Sequence, residues 1–228
     1  MTEQAKYWND RGKNYLAEFA NMSSFNKRIM KKQEQAVIKL LKPKQFSTIL
    51  EIGCGFGRYT NILHKLFQPL KFVAVDSSID QTQTAQATNN KKIEFVCKPI
   101  QEFQADRQFD LVFASEVLMH ISKHGFNDVI KKMISLAKQK IITVDWFDAE
   151  KITDDILSIY WYDEILDFIK TEYCFMHDYR KLSNLDRVKK LILHNIPLPI
   201  ESYMVDIYAK IRHRTSIHKQ VIVEIDLE

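Results

Sequence analysis

Glycine, proline and cysteine are scarce in this sequence of 228 residues, with five, five and three copies. So few glycines and prolines argue against long disordered linkers. The three cysteines, Cys54, Cys97 and Cys174, are odd in number and far apart. This spacing is not a zinc pattern and makes a poor disulfide framework. We therefore expect a protein of the reducing cytoplasm.

Long apolar runs are also missing. No stretch approaches the roughly 18 uninterrupted apolar residues that a membrane-spanning helix needs. The first residues, 1–6, lack the apolar run of a secretory signal. The formal net charge of +4 is too small to indicate nucleic-acid binding by itself. No cluster of potential metal ligands is visible, so we expect neither a membrane association nor a metal.

Short apolar runs alternate with segments of helical periodicity. The predicted strands are 48–52, 72–76, 93–97, 110–115 and 141–145. Each is a nearly continuous apolar run, which is typical of a parallel sheet covered by helices on both faces. The pattern predicts an α/β fold of the Rossmann-like, doubly wound kind, with a mostly parallel sheet.

The two ends of the chain flank this core. A helix with apolar residues from Ile29 to Leu41 should end near Pro43. Past the core, the spacing predicts helices around 156–169 and 185–192, and antiparallel edge strands at 203–211 and 221–225. We expect one domain over 1–228, with an N-terminal helical lid (1–45), a cofactor-binding core (46–145) and substrate-side and C-terminal strands (146–228).

A glycine turn, Gly53-Cys54-Gly55-Phe56-Gly57, follows the first predicted strand and precedes a helix. Glycines permit positive φ and leave room for a ligand against the backbone. The next helix presents free N–H groups and the positive end of its dipole. Ligands of open α/β sheets bind at such strand ends.

The glycine spacing distinguishes between ligands. A dinucleotide fingerprint, G-x-G-x-x-G, needs glycine at position 58, where this sequence has Arg58. The tighter E-x-G-x-G-x-G form, beginning at Glu51, suits a nucleoside that carries an amino-acid tail. Asp76, at the end of the second predicted strand, is placed to accept hydrogen bonds from both ribose hydroxyls.

Three segments resemble the successive motifs of class I S-adenosylmethionine-dependent methyltransferases. They are LEIGCGFGR at 50–58, VDSS at 75–78 and FDLVFASEVLMHI at 109–121. The resemblance covers roughly 48–145 and implies a seven-stranded Rossmann-like sheet with a late antiparallel strand, and S-adenosylmethionine as cofactor. The cofactor-binding residues that we expect are Glu51, Gly53, Gly55, Gly57, Asp76, Ser77, Ile100, Ser115 and Glu116.

The chain departs from the family pattern after the third predicted strand. Members of the family often carry an acidic residue there, which meets the adenine amino group. This chain has Lys98-Pro99-Ile100 instead. The resemblance therefore leaves adenine recognition to the Ile100 backbone or to Gln101.

Two histidines are the candidates for catalysis. Methyl transfer from a sulfonium is an in-line displacement, so the protein must chiefly align the acceptor, and a general base is needed only for some acceptors. His120 follows the fourth predicted strand and is a candidate base or substrate contact; packing against the cofactor is the alternative. His177 lies in a polar and aromatic run, where the alternative is a helix that begins at Asp178 with the aromatic residues in the core.

Aromatic and acidic residues on both sides of the core are the expected substrate contacts. These are Tyr7, Tyr15, Asp145, Trp146, His177 and Tyr179. For the tyrosines near the N-terminus, simple packing of an amphipathic helix onto the sheet is the alternative. Asp145 has the alternative of merely ending a strand.

The methyl acceptor is expected to be a small molecule, methylated on oxygen or nitrogen. The fourth-strand motif, 115–118, reads Ser-Glu-Val-Leu. It is not the Asn/Asp-Pro-Pro-aromatic tetrad with which amino-methylating nucleic-acid enzymes hold a flipped base. Basic residues at 27–32, 187–190 and 212–214 leave an RNA acceptor as an alternative. A cofactor-binding partner subunit without catalysis is a further alternative.

Overall fold

A computed structural model of the chain describes residues 3–89, 92–121, 123–148, 182, 185–197, 199 and 218–228. Seven strands form one sheet in the order β3-β2-β1-β4-β5-β7-β6. Their bounds are β1 Thr48–Ile52, β2 Lys71–Asp76, β3 Ile93–Cys97, β4 Phe109–Ser115, β5 Ala137–Asp148, β6 Val188–Asn195 and β7 His218–Leu227. The first five strands are parallel, and β7 runs antiparallel to both β5 and β6.

Helices connect the strands and cover both faces of the sheet. They are α1 Glu3–Ala20, α2 Ser24–Leu41, α3 Arg58–Phe67, α4 Ile79–Thr88 and α5 Lys123–Leu136, and a 3-10 turn, η1, lies at Leu118–His120. One face packs against the apolar side of α5, and the opposite face packs against α2 and α3. The central strands β1 and β4 are therefore buried on both sides, as their continuous apolar runs predict.

Helix α2 shows how local sequence sets the bounds of an element. The Ser23 hydroxyl accepts a hydrogen bond from the Asn26 amide and so caps the first turn. The helix ends at Leu41, two residues before Pro43, as predicted. Its buried residues, spaced four apart, are Ile29, Gln33, Val37 and Leu41. A glutamine therefore occupies the second position of an otherwise apolar stripe.

The helix predicted around 185–192 was wrong, because this segment contains strand β6. The apolar spacing from Val188 to Leu191 is three residues, which is typical of a helix. The same spacing fits a strand that carries one extra residue: Val188 pairs with Leu227, and Lys190 pairs with the next partner, Asp226. The irregularity at Lys189 shifts the alternation of side chains and conceals the strand in the sequence.

Strand β7 confirms the strand predicted at 221–225 and extends it on both sides. It lies inside the sheet, between β5 and β6, instead of at an edge. The buried Lys140 ammonium of β5 forms an ion pair with the Glu224 carboxylate of β7 at 2.5 Å. The helix predicted around 156–169 and the strand predicted at 203–211 lie outside the described residues. Within the described helices, none has the length and apolarity required to cross a membrane.

Candidate functional site

A cavity of about 790 Å³ opens at the carboxyl ends of the parallel strands. Its lining comes from α1, the glycine turn, the ends of β1 to β4 and the turn that contains η1. This edge of the sheet is where open α/β folds bind ligands. Of the expected cofactor residues, the lining contains Glu51, Gly53, Gly55, Asp76, Ser77, Ile100, Ser115 and Glu116.

The glycine turn has a backbone that only glycine adopts easily. Gly53 and Gly55 have φ of 66° and 55°. A Cβ atom on Gly53 would lie 2.2 Å from Cγ2 of Val117, so a side chain has no room there. Gly57, with φ of 90°, is absent from the described lining of the cavity. A Cβ atom on Gly57 would lie 2.2 Å from Nδ2 of Asn89, so this glycine permits close packing of α3 on the end of α4.

Asp76 is tied to the glycine turn by its carboxylate. The Gly55 amide donates to Oδ2 and the Ser78 amide donates to Oδ1, both at 2.8 Å. Burial raises the pKa of Asp76, and these backbone hydrogen bonds work against that rise. A further backbone hydrogen bond comes from the Ser77 amide, so about one of the roughly four acceptor positions of the carboxylate is left for a ligand hydroxyl.

Glu51 lies beneath the glycine turn and is only 2% exposed. The Thr60 hydroxyl donates to its Oε2 at 2.5 Å. Burial raises the pKa of Glu51 to about 8, and the hydrogen bond from Thr60 offsets only part of that effect. The side chain is therefore largely protonated at neutral pH.

Glu116 also lines the cavity and directly follows β4, which lies two strands from β2, the strand that ends at Asp76. Its backbone has a φ of 57°, a left-handed conformation that is costly for a residue with a side chain. Its Oε1 accepts hydrogen bonds from Nε2 of Gln33 at 2.9 Å and Nε2 of Gln220 at 3.4 Å. A strained backbone that holds a carboxylate in a cavity is a common sign of a functional position.

Helix α1 forms one wall of the cavity with an aromatic face. The rings of Trp8 and Tyr15 pack edge to face with their centroids 6.2 Å apart. The ring of Phe19 packs against Phe56 of the glycine turn with the centroids 4.9 Å apart. Burial raises the pKa of Tyr15 to about 12, and the charge of Glu116 adds to this effect. Tyr15 lines the cavity, and its contact with a substrate stays a prediction. Tyr7 belongs to α1, but its side chain is outside the described structure.

Helix α1 is docked on the start of α4. The Asn9 Oδ1 accepts a hydrogen bond from the Ile79 amide at 3.1 Å and so satisfies a free donor of α4. One turn further along, a Cβ atom on Gly12 would lie 2.5 Å from the Ser78 hydroxyl. Glycine at position 12 therefore allows α1 to approach the segment that carries Asp76.

His120 is the last residue of η1 and lines the cavity. Its ring meets the Trp8 ring edge to face at 4.9 Å. Burial lowers the pKa of His120 to about 4, and the charge of Arg11 lowers it further. The imidazole is therefore neutral across the physiological range.

Of the remaining candidate residues, Asp145 alone has a side chain within the described structure. Asp145 is 1% exposed, is not in the described lining, and accepts a hydrogen bond from the Met119 amide at 3.3 Å. It thereby braces η1, while a substrate contact for Asp145 stays a prediction. Trp146 is part of β5, but its side chain lies outside the described residues. His177 and Tyr179 also lie outside them.

Two largely buried side chains beside the glycine turn were not predicted from the sequence. Gln33 of α2 is fully buried, and the guanidinium of Arg58, at the start of α3, is 15% exposed and lines the cavity. A polar residue on the apolar stripe of α2 was the available signal for Gln33. Across the described ranges, no group of three or more His, Cys, Asp or Glu side chains is arranged to hold a metal ion.

Known proteins share the sequence pattern of this core. Residues 49–140 match the model of the methyltransferase domain family. Phosphoethanolamine N-methyltransferase 3 of Arabidopsis thaliana is 26% identical over 140 residues, which are 59% of this chain and 28% of that enzyme. Ubiquinone biosynthesis O-methyltransferase of Rickettsia bellii is 32% identical over 92 residues, which are 40% of this chain and 36% of that enzyme. The matches thus span well under half of these relatives.

A solved structure shares the whole architecture. Magnesium protoporphyrin IX methyltransferase from Synechocystis PCC 6803, with bound S-adenosylmethionine, superposes with a TM-score of 0.64. The superposition covers 100% of this chain and 99% of that chain at 12% sequence identity, which is evidence for the fold alone. The predicted Rossmann-like fold and the resemblance to class I methyltransferases are confirmed.

Proposed function

We propose that this chain, whose core is a class I methyltransferase domain, uses S-adenosylmethionine to methylate an oxygen or nitrogen atom of a small molecule. The single observation that carries the proposal is the pairing of Asp76 with the amide of Gly55 at 2.8 Å, at the floor of the cavity. This pairing puts an acceptor for ribose hydroxyls directly beside a turn that has no room for a side chain at Gly53.

The cavity residues fit a nucleoside with an amino-acid tail. Asp76 and Glu116 give the cavity carboxylates beside two different strands, β2 and β4, which suits ligand hydroxyls at one and an ammonium at the other. The Oε1 of Gln81, a residue that also lines the cavity, is buried and has no hydrogen-bond partner in the described structure. Gln81 lies beside Gly55, where a ligand hydroxyl would satisfy it. We assign the adenine end to Pro99, Ile100 and Gln101, which also line the cavity.

The chemistry places few demands on this chain. The bound cofactor supplies an activated methyl group, so the protein must align the acceptor and keep water away. The aromatic face of α1, with Trp8, Tyr15 and Phe19, covers the cavity and serves both purposes. We assign contacts with the methyl acceptor to Tyr7, Tyr15, Asp145, Trp146, His177 and Tyr179. The division of the domain predicted from the sequence is also part of the proposal.

His120 is assigned a role at the reacting atoms as a neutral imidazole. A general base works best with a pKa near the operating pH, and a pKa of about 4 makes His120 a weak one. A neutral ring accepts a hydrogen bond well, so His120 is suited to orient an acceptor hydroxyl or amine. Base catalysis, where the acceptor needs it, is assigned to His177.

The acceptor is proposed to be a small molecule because the relatives named above, a phosphoethanolamine N-methyltransferase and a ubiquinone biosynthesis O-methyltransferase, act on small molecules. The test has two steps. Titration calorimetry with S-adenosylmethionine and S-adenosylhomocysteine measures binding, and incubation with methyl-labelled cofactor plus metabolite or RNA pools measures transfer. Label in small molecules supports the proposal. Label in RNA alone, or tight binding without transfer to any pool, overturns the small-molecule activity.

A further inference from the structure

A fully buried glutamine of α2, Gln33, links α3 to the turn after β4 next to the cavity. The Oε1 of Gln33 accepts hydrogen bonds from the Tyr59 hydroxyl at 3.1 Å and from Nη2 of Arg58 at 2.8 Å. Its Nε2 donates to Oε1 of Glu116 at 2.9 Å. These partners fix the orientation of the Gln33 amide. If the amide were flipped, its N–H groups would face the donors of Arg58 and Tyr59, and its oxygen would face the Glu116 carboxylate.

Gln33 stands between a cation and a carboxylate. Within the described residues, Arg58 and Glu116 form no ion pair within 4 Å, although both contact the same amide. Arg58 instead has weak partners: the Met30 sulfur at 2.9 Å and the Glu34 carboxylate at 3.7 Å, beyond hydrogen-bond distance. A direct bidentate pair with Glu116 would be stronger than either contact, so Gln33 keeps the two charges apart.

The Glu116 carboxylate is held by one oxygen only. In the described structure, both of its side-chain hydrogen bonds, from Gln33 and Gln220, reach Oε1. Its Oε2 therefore keeps its full capacity to accept a hydrogen bond in the cavity. The charged and titratable groups that interact electrostatically with Glu116 are Tyr15 from α1 and Arg58 and Tyr59 from α3.

We propose that Gln33 is a positioning residue: it orients the Glu116 carboxylate through Oε1, keeps it from pairing with Arg58, and so leaves Oε2 to accept from the ammonium of the cofactor's amino-acid tail. The inference rests on the proposed function. Gln33 does not touch the ligand itself, and its effect passes through Glu116.

The test compares two ligands with one difference. S-Adenosylhomocysteine carries the amino-acid tail, whereas 5′-methylthioadenosine lacks it and reports only on the nucleoside end. We measure the affinity of both by calorimetry for the wild-type chain, Gln33→Met and a matched control, Gln35→Met, whose residue is exposed on the same helix. In Gln33→Met the side chain keeps its length, but Arg58 is free to pair with Glu116.

We expect Gln33→Met to lower the affinity for S-adenosylhomocysteine by roughly ten- to a hundredfold. This is the range for the loss of one hydrogen bond to a charged group. The affinity for 5′-methylthioadenosine should stay unchanged, and Gln35→Met should match the wild type for both ligands. Equal losses for the two ligands, or no loss for either, overturn the inference. A wild-type chain that binds neither ligand overturns the proposed function instead.

A second variant covers the case in which Gln33→Met does not fold. When protonated, the side chain in Gln33→Glu donates to Glu116 and accepts from Arg58, as the amide does. When ionised it repels Glu116. The affinity of Gln33→Glu for S-adenosylhomocysteine should therefore match that of the wild type at low pH and fall below it as the pH rises. Parallel pH profiles for the variant and the wild type would contradict the positioning role.

Discussion

The backbone amide of Gly55 and the carboxylate of Asp76 are joined by a hydrogen bond of 2.8 Å that ties the glycine turn to the end of the neighbouring strand. The other carboxylate oxygen is held by the Ser78 amide at the same distance. The residue that would hold the ribose thus also shapes the turn on which the cofactor would lie.

Asp76→Asn tests this double role. An asparagine presents an NH2 group to one of the two backbone amides, which leaves two donors facing each other. We expect the affinity for S-adenosylhomocysteine, measured by calorimetry, to fall by at least about tenfold. Asp80→Asn, on the first turn of α4, is the control and should bind as the wild type does. An Asp76→Asn variant with unchanged affinity would refute the assignment of the ribose site.

Gly53→Ala tests the close approach of the turn to Val117. The positive φ costs a residue with a Cβ about 1–2 kcal/mol, and the clash with Val117 adds to this loss. We expect a lower midpoint of urea unfolding together with a loss of cofactor binding. In the double variant Gly53→Ala/Val117→Ala the clash is relieved, so part of the stability should return. If the single variant is as stable as the wild type, the turn is not as tight as described.

Glu51 makes stability depend on pH. Its pKa is about 8 in the folded chain, against a usual value of 4.5, so the folded state holds a proton that the unfolded state releases. The stabilisation that this bound proton provides is complete below the usual pKa of 4.5 and is lost as the pH rises through about 8. The free energy of unfolding should fall across this window by up to about 1.4 kcal/mol per pH unit.

Urea unfolding at several pH values measures this slope. In Glu51→Gln the slope should diminish, because glutamine does not titrate. The exposed Glu94→Gln serves as the control and should keep the wild-type slope. Equal slopes in the wild type and Glu51→Gln would show that Glu51 ionises normally.

Gly12→Ala tests the docking of α1 on α4. Within a helix, alanine is normally more stable than glycine by about 0.5–1 kcal/mol. Here the new methyl group would press on the Ser78 hydroxyl and move α1 away from the cavity. We expect a several-fold rise in the KM for S-adenosylmethionine with little change in the melting temperature. Lys13→Ala, on the exposed side of α1, should leave KM unchanged, and an unchanged KM in Gly12→Ala would show that the contact does not position α1.

His120 is expected to add no inflection to the pH profile of the reaction near its usual value of 6.5, because its pKa is about 4. His120→Asn retains a hydrogen-bond acceptor, so we expect its kcat to stay within about tenfold of the wild type. His120→Phe removes the hydrogen-bond acceptor, so its kcat should fall further than that of His120→Asn. Initial rates from pH 5 to 9 distinguish the cases. An inflection near 6.5 that vanishes in His120→Asn would show that the imidazole titrates during catalysis.

The core was predictable because its signals are local. The apolar runs of β1, β2 and β4 and the glycine turn each identify themselves within a few residues, and Asp76 ends its strand at a recognisable spacing. Strand β6 was mistaken for a helix because its irregularity at Lys189 gives the apolar residues a helical spacing. In that segment, pairing with β7 decides the structure, and pairing partners distant in the chain leave no local pattern.

The polar support of the cavity was not predictable from spacing. Gln33 is 83 residues from its partner Glu116, and Gln220 is 104 residues from it. Only the fold shows that they meet. The one local clue, a glutamine on the buried stripe of α2, indicates a buried hydrogen bond without naming its partner.

The position of β7 between β5 and β6 has a consequence for the order of folding. The ion pair of Lys140 with Glu224 joins residues 84 apart, so β5 finds its partner only after a large loop has closed. Strands β1 to β5 pair with nearer segments and are able to assemble first. Until β7 pairs with β5, the edge of β5 exposes unpaired backbone N–H and C=O groups along an apolar strand. Such an edge is a template for pairing with another chain. Refolding should therefore be most prone to aggregation before this last pairing forms, and dilution or early docking of β7 should improve the yield.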